Sequence, residues 1–198
     1  RRPCRPTRVR CDDRVERAPH VSGAVGRVTL ATVVAAASGY LVLLLAARHL
    51  GAGGYAVFAV FWAAYGMVTG AQNGQLQETA RAVRSAADSG IRRGRPVVVN
   101  AAVGLVLAVV IAASAWLWSG AVFTEQRWLS VALLAVGVAS FAIYAHLAGA
   151  LSGAVSWTSF AVLLSVDALI RLVGAVVAVV AGWDLTAFLV ITVIGSAS

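Results

Sequence analysis

The sequence contains no lysine and few charged residues of any kind. All 16 of its basic residues are arginine, and charged residues make up only 12% of the 198-residue chain, against 60% hydrophobic residues. Soluble globular domains carry about 25% charged and about 45–50% apolar residues. The scarcity of charge therefore excludes an ordinary soluble domain. The length of the chain instead limits how many times it can cross a membrane.

The sequence also lacks the residue patterns of common membrane enzymes and metal sites. It holds three histidines and two cysteines, and Cys4 and Cys11 fit no zinc-binding spacing. No glycine-rich loop ending in Lys-Ser or Lys-Thr is present, so nucleotide binding by that route is excluded. His146 has no evident partner in the sequence, which favours a packing role over a proton relay. We therefore expect no enzyme activity, no metal and no cofactor.

The apolar runs predict an all-α membrane protein in which residues 25–198 form a six-transmembrane-helix bundle. The spans are expected at residues 28–47, 55–71, 96–118, 128–149, 157–183 and 185–198, the last one cut short. After a glycine-rich turn at residues 51–54, the second span continues as a polar helix to about residue 88. Residues 1–24 are basic, contain proline and carry few apolar side chains, which predicts a disordered tail.

The positions of the arginines orient the predicted spans. Thirteen arginines fall in the tail through Arg27 or in the loop between the second and third spans, and only Arg48 and Arg127 fall on the other side. Cytoplasmic loops of membrane proteins carry such an excess. The pattern predicts a cytoplasmic N-terminus in the cytoplasmic membrane of a bacterium. It also attributes the net charge of +8 to topology, so no nucleic-acid partner is expected.

Two charged residues lie in the middle of the fifth predicted span. On a helix Asp167 lies about 15 Å from Trp157, and Arg171 about 6 Å further, so both reach the centre of a hydrocarbon core about 30 Å thick. Their i, i+4 spacing puts them on one face in the favourable order for an ion pair. Because each central charge costs about 2.5–3.5 kcal/mol, this face should turn onto other helices or a polar cavity. An ion pair that fixes α-helices together, a polar translocation cavity and proton coupling through Asp167 all remain open.

A second polar row follows the second predicted span. Gln75, Glu78 and Arg81 recur at helical spacing, and Glu78 can pair with Arg81 at i, i+3. Guanidinium groups hold phosphate by paired hydrogen bonds, so this row is a candidate contact for an anionic head group. The alternative is a solvated helix end whose arginines only set the topology.

Two segments of the chain resemble polysaccharide-export flippases. The first segment is GYLVLLLAARHLGAGGYAVFAVFWAAYGMVTGAQNGQLQETARAV, in which an apolar helix ends in an arginine and a Leu-Gly turn. The next helix begins with Tyr-x-x-Phe, and a Gly-x-x-Gln stretch that ends in Arg-x-Val closes the hairpin. The matching positions are Arg48, Leu50, Gly51, Tyr55, Phe58, Gly74, Gln77, Arg81 and Val83. The later segment HLAGALSGAVSWTSFAVLLSVDALIRLVGAVVAVVAGWD is similar to the family's turn between the fourth and fifth helices, followed by a helix with a central Arg-Leu.

This resemblance is to the multidrug/oligosaccharidyl-lipid/polysaccharide exporter superfamily. It implies the N-terminal lobe of a two-lobe flippase that moves lipid-linked oligosaccharide or polysaccharide precursors across the membrane for the cell envelope. It further implies that Arg171 and Arg81 contact a lipid pyrophosphate, and that Asp167 tunes Arg171 or takes part in ion coupling. The implied partners are the lipid bilayer, the lipid-linked sugar and a second six-helix lobe or chain. The alternative function is a six-helix membrane scaffold or subunit that transports nothing.

Overall fold

The protein is an all-helical, multi-pass membrane protein. The computed structural model describes residues 18–89, 96–123 and 127–195. Its helices are Ala18–His49 (α1), Gly51–Ser89 (α2), Pro96–Val122 (α3), Arg127–Gly153 (α4), Trp157–Val180 (α5) and Leu185–Gly195 (α6). By length and composition α1 to α5 can each cross a membrane, whereas α6 is a shorter apolar helix of 11 residues. The fold class predicted from the apolar runs is thus confirmed.

Pairwise packing defines the bundle. α1 packs along α5, α4 packs along both α2 and α3, and α6 contacts α2, α4 and α5. Near the start of α1, Arg27 bonds Thr158 at the start of α5, while Arg84 near the end of α2 reaches Ser152 near the end of α4. Trp157 borders both contacts, so these four helix ends meet at one end of the bundle, which we call the basic end.

The aromatic core lies toward the opposite end. Phe58 and Phe61 of α2 and Phe188 of α6 are fully buried, and the rings of Phe58 and Phe188 meet edge to face with centroids 5.8 Å apart. Small residues of α1 and α5, such as Ala46 and Ala175, close the sides of this core. Large aromatic side chains bury the most apolar area per residue. The aromatic core therefore holds α6 in the bundle although the helix is short.

α3 presents apolar side chains to the outside of the bundle. Val98, Val106, Val109 and Leu117 are all exposed, on a helix whose chief partner is α4. Contiguous apolar surface of this kind is unusual on a soluble monomer, and lipid tails would cover it in a membrane. The exposure of α3 therefore agrees with the membrane assignment.

Glycines allow close approach between helices at several positions. A side-chain carbon placed at Gly104, Gly137 or Gly174 would collide with a neighbouring helix. Gly66 and Gly70 have open space instead, so these two glycines bring no described helix close to α2. Positions that face lipid need no particular side-chain size. The content of small residues alone therefore could not distinguish glycines at helix contacts from glycines that face lipid.

Two glycines at the end of α4 lie directly against the backbone of α2. An added carbon at Gly149 would lie 2.6 Å from the carbonyl oxygen of Leu76, and one at Gly153 would lie 2.7 Å from that of Ala80. Glycines four residues apart on one helix let two backbones touch. This contact fixes the end of α2 against α4 and thereby positions Arg81 and Arg84 at the basic end.

Several predicted boundaries differ from the structure. α1 begins at Ala18, so residues 18–24 of the predicted disordered tail are helical, and residues 1–17 lie outside the described part. Pro19 falls in the first turn of α1, where its missing N–H group does no harm. The predicted turn at residues 51–54 is the first turn of α2 instead, because Gly51 alone reverses the chain at φ +66°. Of the last predicted span, residues 196–198 lie outside the described part.

The turn between α4 and α5 also lies later than predicted. Ser152 and Gly153 still belong to α4, and the turn spans residues 154–156. α5 then begins at Trp157 as predicted and ends at Val180, three residues before the predicted boundary at 183. Val155 supplies the reversal with φ +59°, a left-handed conformation that glycine usually adopts at the end of a helix.

Candidate functional site

The charged residues of α5 form a buried ion pair. Nη2 of Arg171 donates to Oδ1 of Asp167 at 2.9 Å, and the two side chains are only 19% and 12% exposed. The i, i+4 geometry of the helix creates the contact without any bend. The prediction that this face turns onto protein is therefore confirmed, while the role of the pair stays a prediction.

α6 and α4 surround this pair. The aliphatic stem of Arg171 lies directly against Gly195 of α6, where any side chain would collide with it. One turn further along α5, Gly174 receives Ile191 of α6 in the same way. Tyr144 of α4 lies within electrostatic range of both Asp167 and Arg171. The pair is thus enclosed by two other helices at about mid-span.

One donor of the buried arginine has no acceptor. Nε of Arg171 is buried and makes no hydrogen bond to any described residue. A buried donor left unpaired costs about 1–3 kcal/mol, so such groups attract a water molecule or a ligand oxygen. The pair is neutral overall, which limits the cost of burying it, yet it retains the ability to bind an oxygen acceptor.

The polar row of α2 does not form one surface. Arg81 and Glu78 form an ion pair at 3.3 Å, but their side chains are 77% and 69% exposed. This exposure agrees with the alternative of a solvated helix end. Gln75 and Glu78 border a groove between α2 and α3, whereas Arg81 borders a different groove beside α5. Neither Asp167 nor Arg171 lines either of these two grooves. The structure therefore separates the five predicted site residues into three places.

A buried amide cluster beside Gln75 was missed by sequence reasoning. Gln72 donates from Nε2 to the carbonyl oxygen of Val138 at 3.2 Å, and Asn100 donates from Nδ2 to Oγ1 of Thr79 at 2.9 Å. Together with Gln75 they line a groove of about 560 Å³ between α2 and α3. Buried amides at membrane depth commonly hold helices together by hydrogen bonds. Gln72 lies three residues before Gln75, and this helical spacing was the available signal.

The basic end adds Arg27 and Arg84, two site residues that were not predicted. Arg81 and Arg84 line a groove of about 750 Å³ with Trp157 and Phe160, and Arg27 lines a second groove of about 690 Å³ on the other side of Trp157. Their chemistry is that of anion binding, since guanidinium groups match phosphate oxygens. Within the described ranges, no three His, Cys, Asp or Glu side chains lie close enough together to hold a metal ion.

Comparison with known proteins identifies relatives without an assigned activity. An uncharacterized protein of Mycobacterium bovis is 52% identical over 181 residues, which are 88% of this chain and 42% of that protein. Two uncharacterized proteins of Mycobacterium tuberculosis are 51% identical over 181 residues (88% of this chain, 42% of that protein) and 49% identical over 174 residues (86% and 40%). The chain thus spans about two fifths of the length of the relatives it matches. No protein-family model and no solved structure matches the chain.

Proposed function

We propose that this chain is part of a membrane transporter, the N-terminal lobe of a flippase for lipid-linked oligosaccharide or polysaccharide precursors of the cell envelope. The observation that carries the proposal is the Asp167–Arg171 pair, enclosed by α4 and α6 with one arginine donor unpaired. Ionisable residues that face the interior of a membrane bundle mark the pathways of substrates and ions.

The length of the relatives is compatible with a two-lobe protein. More than half of each relative's length lies outside the match, which is room for a second lobe in those proteins. Alternating access requires two opposing walls that move against each other around a site near the middle of the membrane. The resemblance of the two segments described above to polysaccharide-export flippases points to the same arrangement.

The geometry suggests how the pair would act. Asp167 accepts one hydrogen bond from Arg171, neutralises its charge and holds its guanidinium group in place. A pyrophosphate oxygen arriving beside Arg171 would accept a hydrogen bond from the unpaired Nε. Such a hydrogen bond between two charged groups is stronger than one between neutral groups. Arg81, at the basic end, would meet the same phosphate earlier, at the membrane surface. Asp167 then serves as the positioning residue for Arg171.

Arg171→Lys in the native gene tests the proposal. Lysine keeps the charge opposite Asp167 but loses the planar fork that pairs with phosphate, so export should fall about tenfold at an unchanged protein level. Export is measured as radiolabelled glucosamine reaching surface polysaccharide, and the protein level by immunoblot of washed membranes. Arg48→Lys is the control, because Arg48 is exposed at the other end of α1. Normal export in Arg171→Lys would contradict the proposal.

A second candidate function is a scaffold in which the ion pair fixes α5 against its neighbours. The packing of Gly195 against the stem of Arg171 favours it, since that contact is structural. For such a scaffold Arg171→Lys should alter neither export nor protein level. Loss of the arginine charge would instead remove the protein from the membrane, because an unpaired buried Asp167 costs about 3–5 kcal/mol.

A further inference from the structure

Two grooves at the basic end meet at one tryptophan. The first, which we call the α1–α5 groove, is about 690 Å³ and is lined by Val25, Arg27, Val28, Val155 and Thr158 together with Trp157. The second, of about 750 Å³, lies between the end of α2 and the α4–α5 turn and contains Arg84. Tryptophans at the ends of membrane spans lie at the level of the lipid head groups. Both grooves therefore open where a phospholipid carries its phosphate.

The α1–α5 groove holds an arginine that is fixed in place but not neutralised. Nη1 of Arg27 donates to Oγ1 of Thr158 at 2.9 Å, and its Nε donates to the carbonyl oxygen of Gly23 at 3.1 Å. A guanidinium group has five N–H donors, so most remain available. No carboxylate of the described chain forms a salt bridge with Arg27. Its charge is open to an anion from outside the protein.

A second arginine without an ion pair lies across Trp157. Arg84 reaches only the carbonyl oxygen of Ser152, at 3.5 Å, and the described carboxylates form salt bridges with Arg81 and Arg171 alone. Asp88 borders the same groove as Arg84 and offsets part of its charge. Arg27 and Arg84 together still leave this end of α5 positive, and that potential attracts anionic head groups.

The walls of the α1–α5 groove select an amphiphile over a small anion. Val25 and Val155 are exposed beside the arginine, and Val28 completes the apolar wall. A free phosphate would leave these side chains facing water, whereas acyl chains would cover them. A ligand with both a phosphate and hydrocarbon chains matches the whole groove.

We propose that the α1–α5 groove binds an anionic glycerophospholipid of the adjacent leaflet. Arg27 and Thr158 hold its phosphate beside Trp157, its acyl chains lie along Val25, Val28 and Val155, and Arg84 adds positive potential from the other side of the tryptophan. The lipid would join the starts of α1 and α5, the two helices that pack along each other. This inference does not depend on the proposed function, since a scaffold would use the same lipid.

Thermal unfolding of the purified 198-residue chain in a neutral detergent tests this inference. The melting temperature is titrated with phosphatidylglycerol, with phosphatidylcholine of the same acyl chains, and with inorganic phosphate. We expect phosphatidylglycerol alone to raise it. The double variant Arg27→Gln/Arg84→Gln should need about tenfold more phosphatidylglycerol for the same rise, because two charges near the head group are lost.

Matched variants keep the test decisive. Arg27 and Arg84 are both exposed, so their replacement should leave the lipid-free melting temperature unchanged. Arg48→Gln removes an equally exposed arginine at the opposite end and should respond to lipid like the parent chain. Thr158→Val removes the bond that fixes Arg27 and should weaken the response even if the double variant folds poorly. Equal stabilisation by phosphatidylcholine or by inorganic phosphate, or an equal loss in Arg48→Gln, would overturn the inference.

Discussion

At the scale of single residues, Val155 is the one non-glycine residue of the described chain with a positive φ. The N–H group of Val155 donates to the carbonyl oxygen of Ser152, and the N–H group of Ser156 donates to the carbonyl oxygen of Leu151. Many helices end with this pair of hydrogen bonds around a glycine in the left-handed conformation. A residue with a Cβ atom pays about 1–2 kcal/mol for this conformation. The Val155 side chain is 60% exposed, so burial within the protein does not offset that cost.

Val155→Gly should therefore stabilise the protein by about 0.5–1 kcal/mol. The gain is the relief of left-handed strain, reduced by the greater freedom of glycine in the unfolded chain. The measurement is the free energy of unfolding in detergent, with unfolding monitored by circular dichroism. Val155→Ala keeps the Cβ atom and should gain less, while a loss of stability in Val155→Gly would show that the valine side chain contributes a contact with lipid or detergent.

The charged residues show how far one helix can be predicted from sequence. The spacing of Asp167 and Arg171 predicted their ion pair and their inward face because both follow from the geometry of a single helix. The contact of Arg171 with Gly195 could not be predicted, because it depends on where a separate helix packs. The same limit applies to Gln75 and Arg81, whose common helical row gave no sign that they border different grooves.

At the scale of helices, the pairing of α2 and α4 depends on glycine. Gly149 and Gly153 bring the α4 backbone against the carbonyl oxygens of Leu76 and Ala80. Gly70 of α2 has open space around it, so a glycine within a span does not by itself mark a close approach. A one-helix pattern records residue size but not which face meets a neighbour.

Gly149→Ala should destabilise the α2–α4 contact by about 1–3 kcal/mol, because the added carbon has no room against the backbone of α2. Gly70→Ala is the matched control, and it should be neutral or stabilising by up to about 1 kcal/mol through helix propensity. Both values come from the free energy of unfolding in detergent. Equal effects of the two substitutions would mean that the close approach at Gly149 contributes no stability.

At the scale of the whole molecule, apolar and charged residues divide the bundle along its length. The aromatic core of Phe58, Phe61 and Phe188 lies toward one end, unpaired arginines lie at the other, and the Asp167–Arg171 pair lies between them. The apolar runs predicted the number of spans, and the arginines predict which end faces the cytoplasm. The seating of α6 among α2, α4 and α5 came only from the structure.

Under the proposed function, the described bundle would form one wall of a transport pathway. The ion pair lies beneath α4 and α6 and does not face an open cavity of the described chain. A conformational change or an opposing lobe must expose Arg171 before a phosphate can reach it. The account therefore predicts that the pair is needed for transport and dispensable for folding.

Export by the double variant Asp167→Leu/Arg171→Met tests that claim most directly. Apolar side chains of similar volume can replace a buried ion pair at little cost, or even with a gain of about 1–4 kcal/mol, so the protein should stay in the membrane at its normal level. Surface polysaccharide labelled with radioactive glucosamine should then be lost while lipid-linked precursor accumulates inside the cell. Normal export from a normally abundant double variant would contradict the account.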